Sequence, residues 1–456
     1  MKINCQYVVP TLLVTLLLAG CSDSGVAVSP SVSESLLDST LRSAINASQP
    51  DGIDSLLMPD SDALDSIPQD AANTLSRSKV ALGKMLFHDT GMAVATDPGG
   101  EQSWSCATCH HAAAGFKAGI PQGIGEGGVG FGVDGSARIL KSGFVLPDLQ
   151  PLSTPTVLNT AYQDVMLWNG QFGNTAGGVN STVDANRVTT TDTPKAENLR
   201  LLSGLETQAI AGLAVHRLDT DGDYVLNQNE EYQQLFSAAF GSLNTDDYHR
   251  DAGLAIAAYE RTILANKAPF QRWLSGDMNA MSDSQKRGAD LFFDKAACSD
   301  CHQGPALSSL PGASDDELFF AIGMNDFDVN HTQIHGTVAE ADTQGRGGFT
   351  GKSKDMYKFK IPQLYNLSDS ASLGHGARFT TIKDVIRYKN QGVAQNPDAQ
   401  HYLDPRFTPL NLTETEMDDL ANFISDGLYD ADLIRYTPTR VPSGACITVD
   451  PMTEGC

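Results

Sequence analysis

The chain is short of positive charge, aromatic side chains and long apolar runs. Lys and Arg number 31 against 55 Asp and Glu, a net charge of −24. That excess excludes nucleic acid and an anionic membrane surface as electrostatic partners. It suits the steering of a basic partner protein, and solubility alone accounts for it equally well. Beyond the first twenty residues no apolar run is long enough to cross a bilayer. Strand signals are sparse, so the expected class is mainly α with long loops. Eight cysteines in 456 residues are too few for a disulfide scaffold, and the chain has room for two or three domains with a core in each.

Four of the eight cysteines and two of the histidines carry the argument. Cys106-Ala107-Thr108-Cys109-His110 and Cys298-Ser299-Asp300-Cys301-His302 repeat one pattern: two thiols separated by two residues, with a histidine directly after the second. This is the attachment signature of a c-type haem. The thiols add to the haem vinyl groups, and the next histidine becomes the axial ligand of the iron. No further Cys/His cluster completes a zinc site nearby. The expectation is two covalently bound haem c groups, on Cys106, Cys109 and His110 and on Cys298, Cys301 and His302.

The remaining cysteines sit near the ends. Lys2 and the apolar run Val8–Leu18 read as an export signal, and Leu18-Ala19-Gly20-Cys21 reads as a lipobox. Cys21 would then carry lipid and tether the protein to a bacterial membrane on the periplasmic side, without spanning it; an ordinary cleaved signal peptide is the alternative. Cys446 and Cys456 read as a disulfide in an oxidising periplasm.

Residues 1–21 are thus the signal peptide, and 22–52, rich in Ser, Asp and Ala, a flexible tether. Gly83-x-x-Leu86-Phe87-x-Asp89 before the first motif recurs as Gly288-x-x-Leu291-Phe292-x-Asp294 before the second. This is an internal duplication of one haem domain. The first domain is expected over 53–276, with Pro269 and the Ser275-Gly276-Asp277 turn at its end, the second over 277–435, and a tail over 436–456. Leu75, Leu82 and Leu86 predict a helix before the first motif. Ser282 with Gln285, and Thr413 with Glu416, predict capping boxes in the second domain. Two insertions fall in the first domain. Residues 174–197 read as a surface loop. Residues 219–230 have EF-hand spacing, with Asp219, Asp221, Asp223 and Glu230 as calcium ligands, but Tyr224 stands where the motif needs glycine. Calcium binding and a solvated acidic turn are both open readings.

Further segments complete the pattern: LGKMLFHD before the first motif, Thr154-Pro155-Thr156-Val157-Leu158-Asn159, Leu167-Trp168-Asn169-Gly170, Tyr259-Glu260-Arg261-Thr262, and Phe359-Lys360-Ile361-Pro362-Gln363-Leu364-Tyr365-Asn366. In combination the chain resembles the bacterial dihaem cytochrome c peroxidase and MauG family from about Ile53 to Asp426. The resemblance implies two fused cytochrome c-like domains. It implies a peroxide-reacting haem on His110, an electron-transfer haem on His302, and Trp168 as a relay between them; packing in the core is the alternative role for Trp168. Many family peroxidases block the first iron with a loop histidine, yet Ala112 to Gly170 contains none. The first haem is therefore expected to be open. Gln208 matches a family glutamine, but the glutamate expected after it is replaced by His216-Arg217. His216 is then the candidate proton shuttle, with Arg217 stabilising charge; a surface role is the alternative. The family's interdomain calcium would meet Ser153 in place of an asparagine, and carbonyls at Asp355 and Tyr357. For the sixth ligand of the second iron the family position falls at Gly374. The neighbouring His375 is the candidate, against Met324, Met356 or Tyr365 with His375 on a propionate.

The function implied is reduction of hydrogen peroxide at the first haem, with electrons passed through the second from a small cytochrome c or copper protein. The alternatives are a MauG-type oxidase acting on a side chain of a partner protein, and a dihaem electron carrier without catalysis.

Overall fold

The computed structural model describes residues 35–49, 51–96, 103–191, 193–223, 225–242 and 245–448. Helices and loops dominate, and the strands are two antiparallel pairs of two residues each, Gly128–Val129 with Ile139–Leu140 and Phe319–Phe320 with Phe359–Lys360. The mainly α expectation holds.

The duplication is visible as one packing device used twice. Helix Arg77–His88, capped by Ser76, crosses helix Tyr248–Arg261. Helix Asp283–Phe293, opened by the Ser282–Gln285 capping box, crosses helix Glu414–Asn422, opened by the Thr413–Glu416 box. Each crossing is made at the glycine of the repeated pattern. A Cβ on Gly83 would fall 1.8 Å from the Ala255 carbonyl oxygen, and one on Gly288 would fall 2.0 Å from that of Asp419. Only a residue without a side chain lets the backbones approach this closely. Leu75 lies just before the first helix rather than in it, and Ile263 and Leu264 follow the end of helix Tyr248–Arg261. Pro269, read as a boundary, opens helix Pro269–Leu274, where its missing N–H costs no hydrogen bond. The 174–197 insertion is a loop with short helical turns, pinned by buried Asn180 and Asn198.

The tether expectation for 22–52 is corrected where the structure describes it. Leu36–Ser48 is a helix with a Ser35–Asp38 capping box. Leu41 and Ile45, four apart, are fully buried, and Asp38 is anchored by Lys286 at 2.7 Å and by the Trp273 indole N–H at 2.7 Å. The segment holds few large apolar residues, so two well-spaced ones and a buried ion pair escaped a reading based on composition. Residues 1–34, with Cys21, lie outside the described residues, and among the described ones no helix is long and apolar enough to cross a membrane. Cys446 is disulfide-bonded, while Cys456 lies outside the described residues.

Candidate haem centres

Each attachment motif is a tight turn with one face buried. In the first, Ala107 and Thr108 are buried while Cys106, Cys109 and His110 are half-buried; in the second, Ser299 is buried while Cys298, Cys301 and His302 are half-buried. All four thiols are unpaired. Burial pushes them up, to about 12 at Cys109 and at Cys298, so they stay neutral thiols. The two axial imidazoles are prepared alike. His110 Nδ1–H donates to the Phe116 carbonyl at 3.2 Å, and His302 Nδ1–H to the Leu307 carbonyl at 2.8 Å. Nε2 is left as the ligating nitrogen on both rings. Phe116 and Leu307 both take the left-handed backbone, with φ of 56° and 47°. The conformation costs an ordinary residue about 1–2 kcal/mol and here turns the carbonyl toward the ring. The Pro155 and Pro362 carbonyls lie against the same two imidazoles. Phe87 and Phe292 pack on them, with ring centroids 6.3 and 6.4 Å away. Burial holds both imidazoles down, to about 4, so they stay neutral and ready to ligate. Two free thiols and a tautomer-fixed imidazole on one open face fit a covalently attached haem at each motif.

Around the first motif, helix Gly204–Val215 is buried as far as Leu213 except at Gln208 and Gly212, and exposed at Ala214 and Val215. Gln208, Gly212 and His216, four apart, are half-buried, and a Cβ on Gly212 would lie 3.7 Å from Gln208 Nε2 and 4.0 Å from His216 Cδ2. The glycine leaves room between the two polar side chains. His216 is near enough to His110 to add to the lowering of its proton affinity. Its Nδ1 is 2.8 Å from Asp148 Oδ2, and its carbonyl accepts the Trp104 indole N–H at 2.8 Å. Asp148 was missed by the sequence reading because it lies 68 residues away in a segment without a motif. Arg217 is next to His216 but already taken. Its guanidinium pairs with buried Glu126 and donates to the Leu146 carbonyl at 2.9 Å. Against the upward push of burial, hydrogen bonds from Thr96 and Arg217 hold the Glu126 carboxyl below its ordinary range. Glu260 is a second residue whose role was not read. Burial, with Glu206 nearby, pushes its carboxyl up to about 8, and it stands near Cys106 with Oε2 unpartnered.

Trp168 is half-buried, its indole N–H donating to the Ser153 carbonyl at 2.7 Å. The Ser153 N–H donates to the His375 carbonyl at 2.8 Å, and the Trp168 and His375 rings meet edge to face at 6.1 Å. His375 is buried and stacked on Phe359, with centroids 3.7 Å apart. Its Nε2 lies 3.2 Å from Asp326 Oδ1, close but too poorly aligned for a hydrogen bond. Met324 Sδ stands 3.3 Å from where a Cβ on Gly374 would be. Tyr365 and Met356 are engaged elsewhere, the first with Gln271 and the second against Gly347.

Of the calcium candidates, Asp219 and Asp221 lie side by side. Among the described residues no group of three or more His, Cys, Asp or Glu is placed to hold a metal ion. The Asp219 carboxylate is buried and accepts the N–H groups of Asp221, Gly222 and Val225. Asp223 accepts from Asn227, and Glu230 opens helix Glu230–Phe240. Tyr224 lies outside the described residues. At the family's interdomain position the Asp355 carboxylate accepts from Thr350 and both Ser153 backbone groups are in use.

A helical chain holding two attachment turns of one design, each with a prepared axial histidine, is a dihaem c-type cytochrome. Residues 77–279 match the family described as di-haem cytochrome c peroxidase. The cytochrome-c peroxidase IdrP1 of Pseudomonas sp. strain SCT is 27% identical over 82% of this chain and 86% of that protein. The methylamine utilization protein MauG of Methylorubrum extorquens is 27% identical over 79% and 81%. The crystal structure of a MauG-like protein associated with microbial copper homeostasis superposes with a TM-score of 0.57 at 20% identity, covering 87% of this chain and 97% of that one. The chain is thus similar to the di-haem cytochrome c peroxidases in residues 77–279, and to both cytochrome-c peroxidase and MauG relatives over most of its length.

Proposed function

We propose that this protein reduces hydrogen peroxide at the His110 centre, with electrons delivered through the His302 centre. The observation that carries the reading is the His216–Asp148 pair beside the first motif. When bound, haem supplies the redox chemistry at each centre. The chain supplies the proton handling. Asp148 accepts the His216 Nδ1 proton and so fixes the tautomer, leaving Nε2 as a base on the half-exposed side of the ring. Nε2 would take a proton from one peroxide oxygen and return it to the other, with the electrons that O–O cleavage requires supplied by a haem held by Cys106, Cys109 and His110. The Gln208 amide, across the gap left by Gly212, orients the peroxide. Arg217 steadies the turn through Glu126 rather than offering a free charge. Trp168, held by Ser153 between the two halves, serves as the relay. Electrons come from a small cytochrome c or copper protein, for which the acidic surface selects a basic face. The location that fits is the periplasm, with lipid on Cys21 as the anchor.

The test is turnover of hydrogen peroxide with a reduced donor, in wild type, His216→Ala and Asp148→Asn, with both haems verified as attached. A His216→Ala protein with wild-type peroxide kinetics removes the residue from the mechanism. If reduced donors are not consumed while a partner protein gains mass with peroxide, the MauG-type reading replaces this one.

A further inference from the structure

Among the described residues, the first haem turn and not the second is covered by the C-terminal segment, a strand of chain that belongs to no sheet. Residues 437–448 run along the first half of the chain, far in sequence from what they touch. Arg440 pairs with Glu231 at 2.9 Å, and the Asn229 side-chain amide donates to the Pro442 carbonyl at 2.7 Å. The Ser443 hydroxyl donates to Asp89, the acid of the first repeated pattern, and the Thr90 hydroxyl donates to the Cys446 carbonyl at 2.9 Å. Cys446 is disulfide-bonded and Thr448 is fully buried.

At Thr448 the segment meets His111, the neighbour of the axial histidine. His111 is fully buried. Its Nε2–H donates to the Thr448 carbonyl at 3.1 Å, and its Nδ1 accepts the Ala113 N–H at 3.2 Å. Both ring nitrogens are used, so the neutral ring acts as a peg between strand and loop. The loop it pegs is the one that prepares the axial ligand. The His111 N–H donates to the Lys117 carbonyl at 2.9 Å, and the His111 carbonyl accepts the Phe116 N–H at 2.9 Å. Phe116 in turn holds His110 Nδ1 through its own carbonyl. In the second half Gln303 occupies the position after the axial histidine. It forms the matching backbone bridge to Ser308, but it is only half-buried, and Asp294, the partner of Asp89 in the repeat, is exposed.

We infer that the C-terminal strand and His111 together form a positioning device for the first haem alone, setting the hydrogen bond from His110 Nδ1 to the Phe116 carbonyl. That bond makes the imidazole a stronger donor to iron and favours the oxidised state. The inference rests on haem at His110 and not on the peroxide reading.

The experiment measures the two midpoint potentials and the paramagnetic resonance spectrum of the holoprotein in wild type, His111→Phe and the double variant Ser443→Ala/Cys446→Ser. His111→Phe keeps the ring volume and removes both bonds of the peg. The first-haem potential is expected to rise, with the oxidised-to-reduced ratio shifting about tenfold, or about 59 mV for one electron. The double variant, which touches no residue of the haem loop, should shift it in the same direction by less. In both, the first-haem resonances move and the second-haem potential stays as in wild type. An unchanged first-haem potential in the double variant overturns the role of the strand, whatever His111→Phe does. Equal movement of both haems overturns it too, because the effect is then global. If His111→Phe fails to hold its first haem, the double variant alone decides.

Discussion

The molecule contains two histidines each beside an aspartate, His216 near the first haem turn and His375 beside Trp168, and the two pairs are built oppositely. His216 meets Asp148 through Nδ1 at 2.8 Å with about a third of its side chain exposed. His375 meets Asp326 through Nε2 at 3.2 Å, poorly aligned, with 4% exposure and Phe359 stacked on its face. The first arrangement engages Nδ1 and leaves the side chain part-exposed, as an acid–base group requires. The second locks the ring into an aromatic array with Trp168, where position matters and proton exchange is hindered. On the other side of each haem turn the halves agree closely: Phe87 matches Phe292, Phe116 matches Leu307, and Pro155 matches Pro362. The duplication has kept the packing around His110 and His302 and has diverged at the two His–Asp pairs.

The strongest way to break this comparison is to remove one centre at a time. Cys106→Ser/Cys109→Ser should halve the covalent haem per chain and abolish peroxide turnover. Cys298→Ser/Cys301→Ser should also halve the haem, yet keep peroxide reactivity at the remaining centre while losing turnover with a reduced donor. Pyridine haemochrome content and stopped-flow spectra read both. Identical behaviour of the two variants would show that the halves are not specialised.

The next effect comes from the two histidines. His216→Ala should slow the peroxide step by about 10²–10⁴-fold, the usual worth of a positioned acid–base group. Asp148→Asn should slow it less and shift the pH profile of the reaction. His375→Ala should leave that step within about twofold and change the spectrum of the second haem instead. A methionine-type near-infrared band that is present in wild type and unchanged in His375→Ala would assign the sixth ligand to Met324 rather than His375.

A third comparison concerns stability. Gly83→Ala and Gly288→Ala each force a methyl group into a backbone carbonyl at about the same distance. Each should cost about 1–3 kcal/mol, or more where the helices cannot separate. Thermal or denaturant unfolding with both haems attached reads this. Similar losses at the two sites confirm a shared crossing, and a small loss at either one means that its helix pair can slide.

What the sequence disclosed follows from how local each feature is. The haem turns, the repeated glycine pattern and the two capping boxes are set within a few residues, and they stand as read. The expectation of an open first centre is equally local, since it rests on the absence of histidine over 112–170. Asp148, Asp326 and the contact of Thr448 with His111 could not be read, because each depends on a partner 49 or more residues away and none sits in a pattern. Arg217 was read for its charge, but Glu126 lies 91 residues upstream and neutralises it. The helix Leu36–Ser48 escaped for a related reason, since its stability comes from what it packs on rather than from its own composition.

That helix also gives the smallest and most specific effect, because its ion pair is made to the second half through Lys286. Burial alone would raise the Asp38 carboxyl; bonds from Lys286, Ser35 and Trp273 outweigh it and lower the group to about 2. A carboxyl depressed in the folded state stabilises it above the unfolded value, near 3.9, and the contribution is lost as pH falls through the folded value. The gap corresponds to about 2–3 kcal/mol. Wild type should therefore lose this increment between about pH 4 and pH 2, while Asp38→Asn, already without it at neutral pH, should show a shallower acid slope over the same window. Removing the partner leaves Lys286 buried and uncompensated, which adds to the loss at neutral pH. The measurement is denaturant unfolding at stepped pH, followed by the spectrum of the His302 haem. Parallel wild-type and variant curves between pH 2 and pH 4 would mean that Asp38 does not hold the helix to the second half, and that the helix is kept there by Leu41 and Ile45 alone.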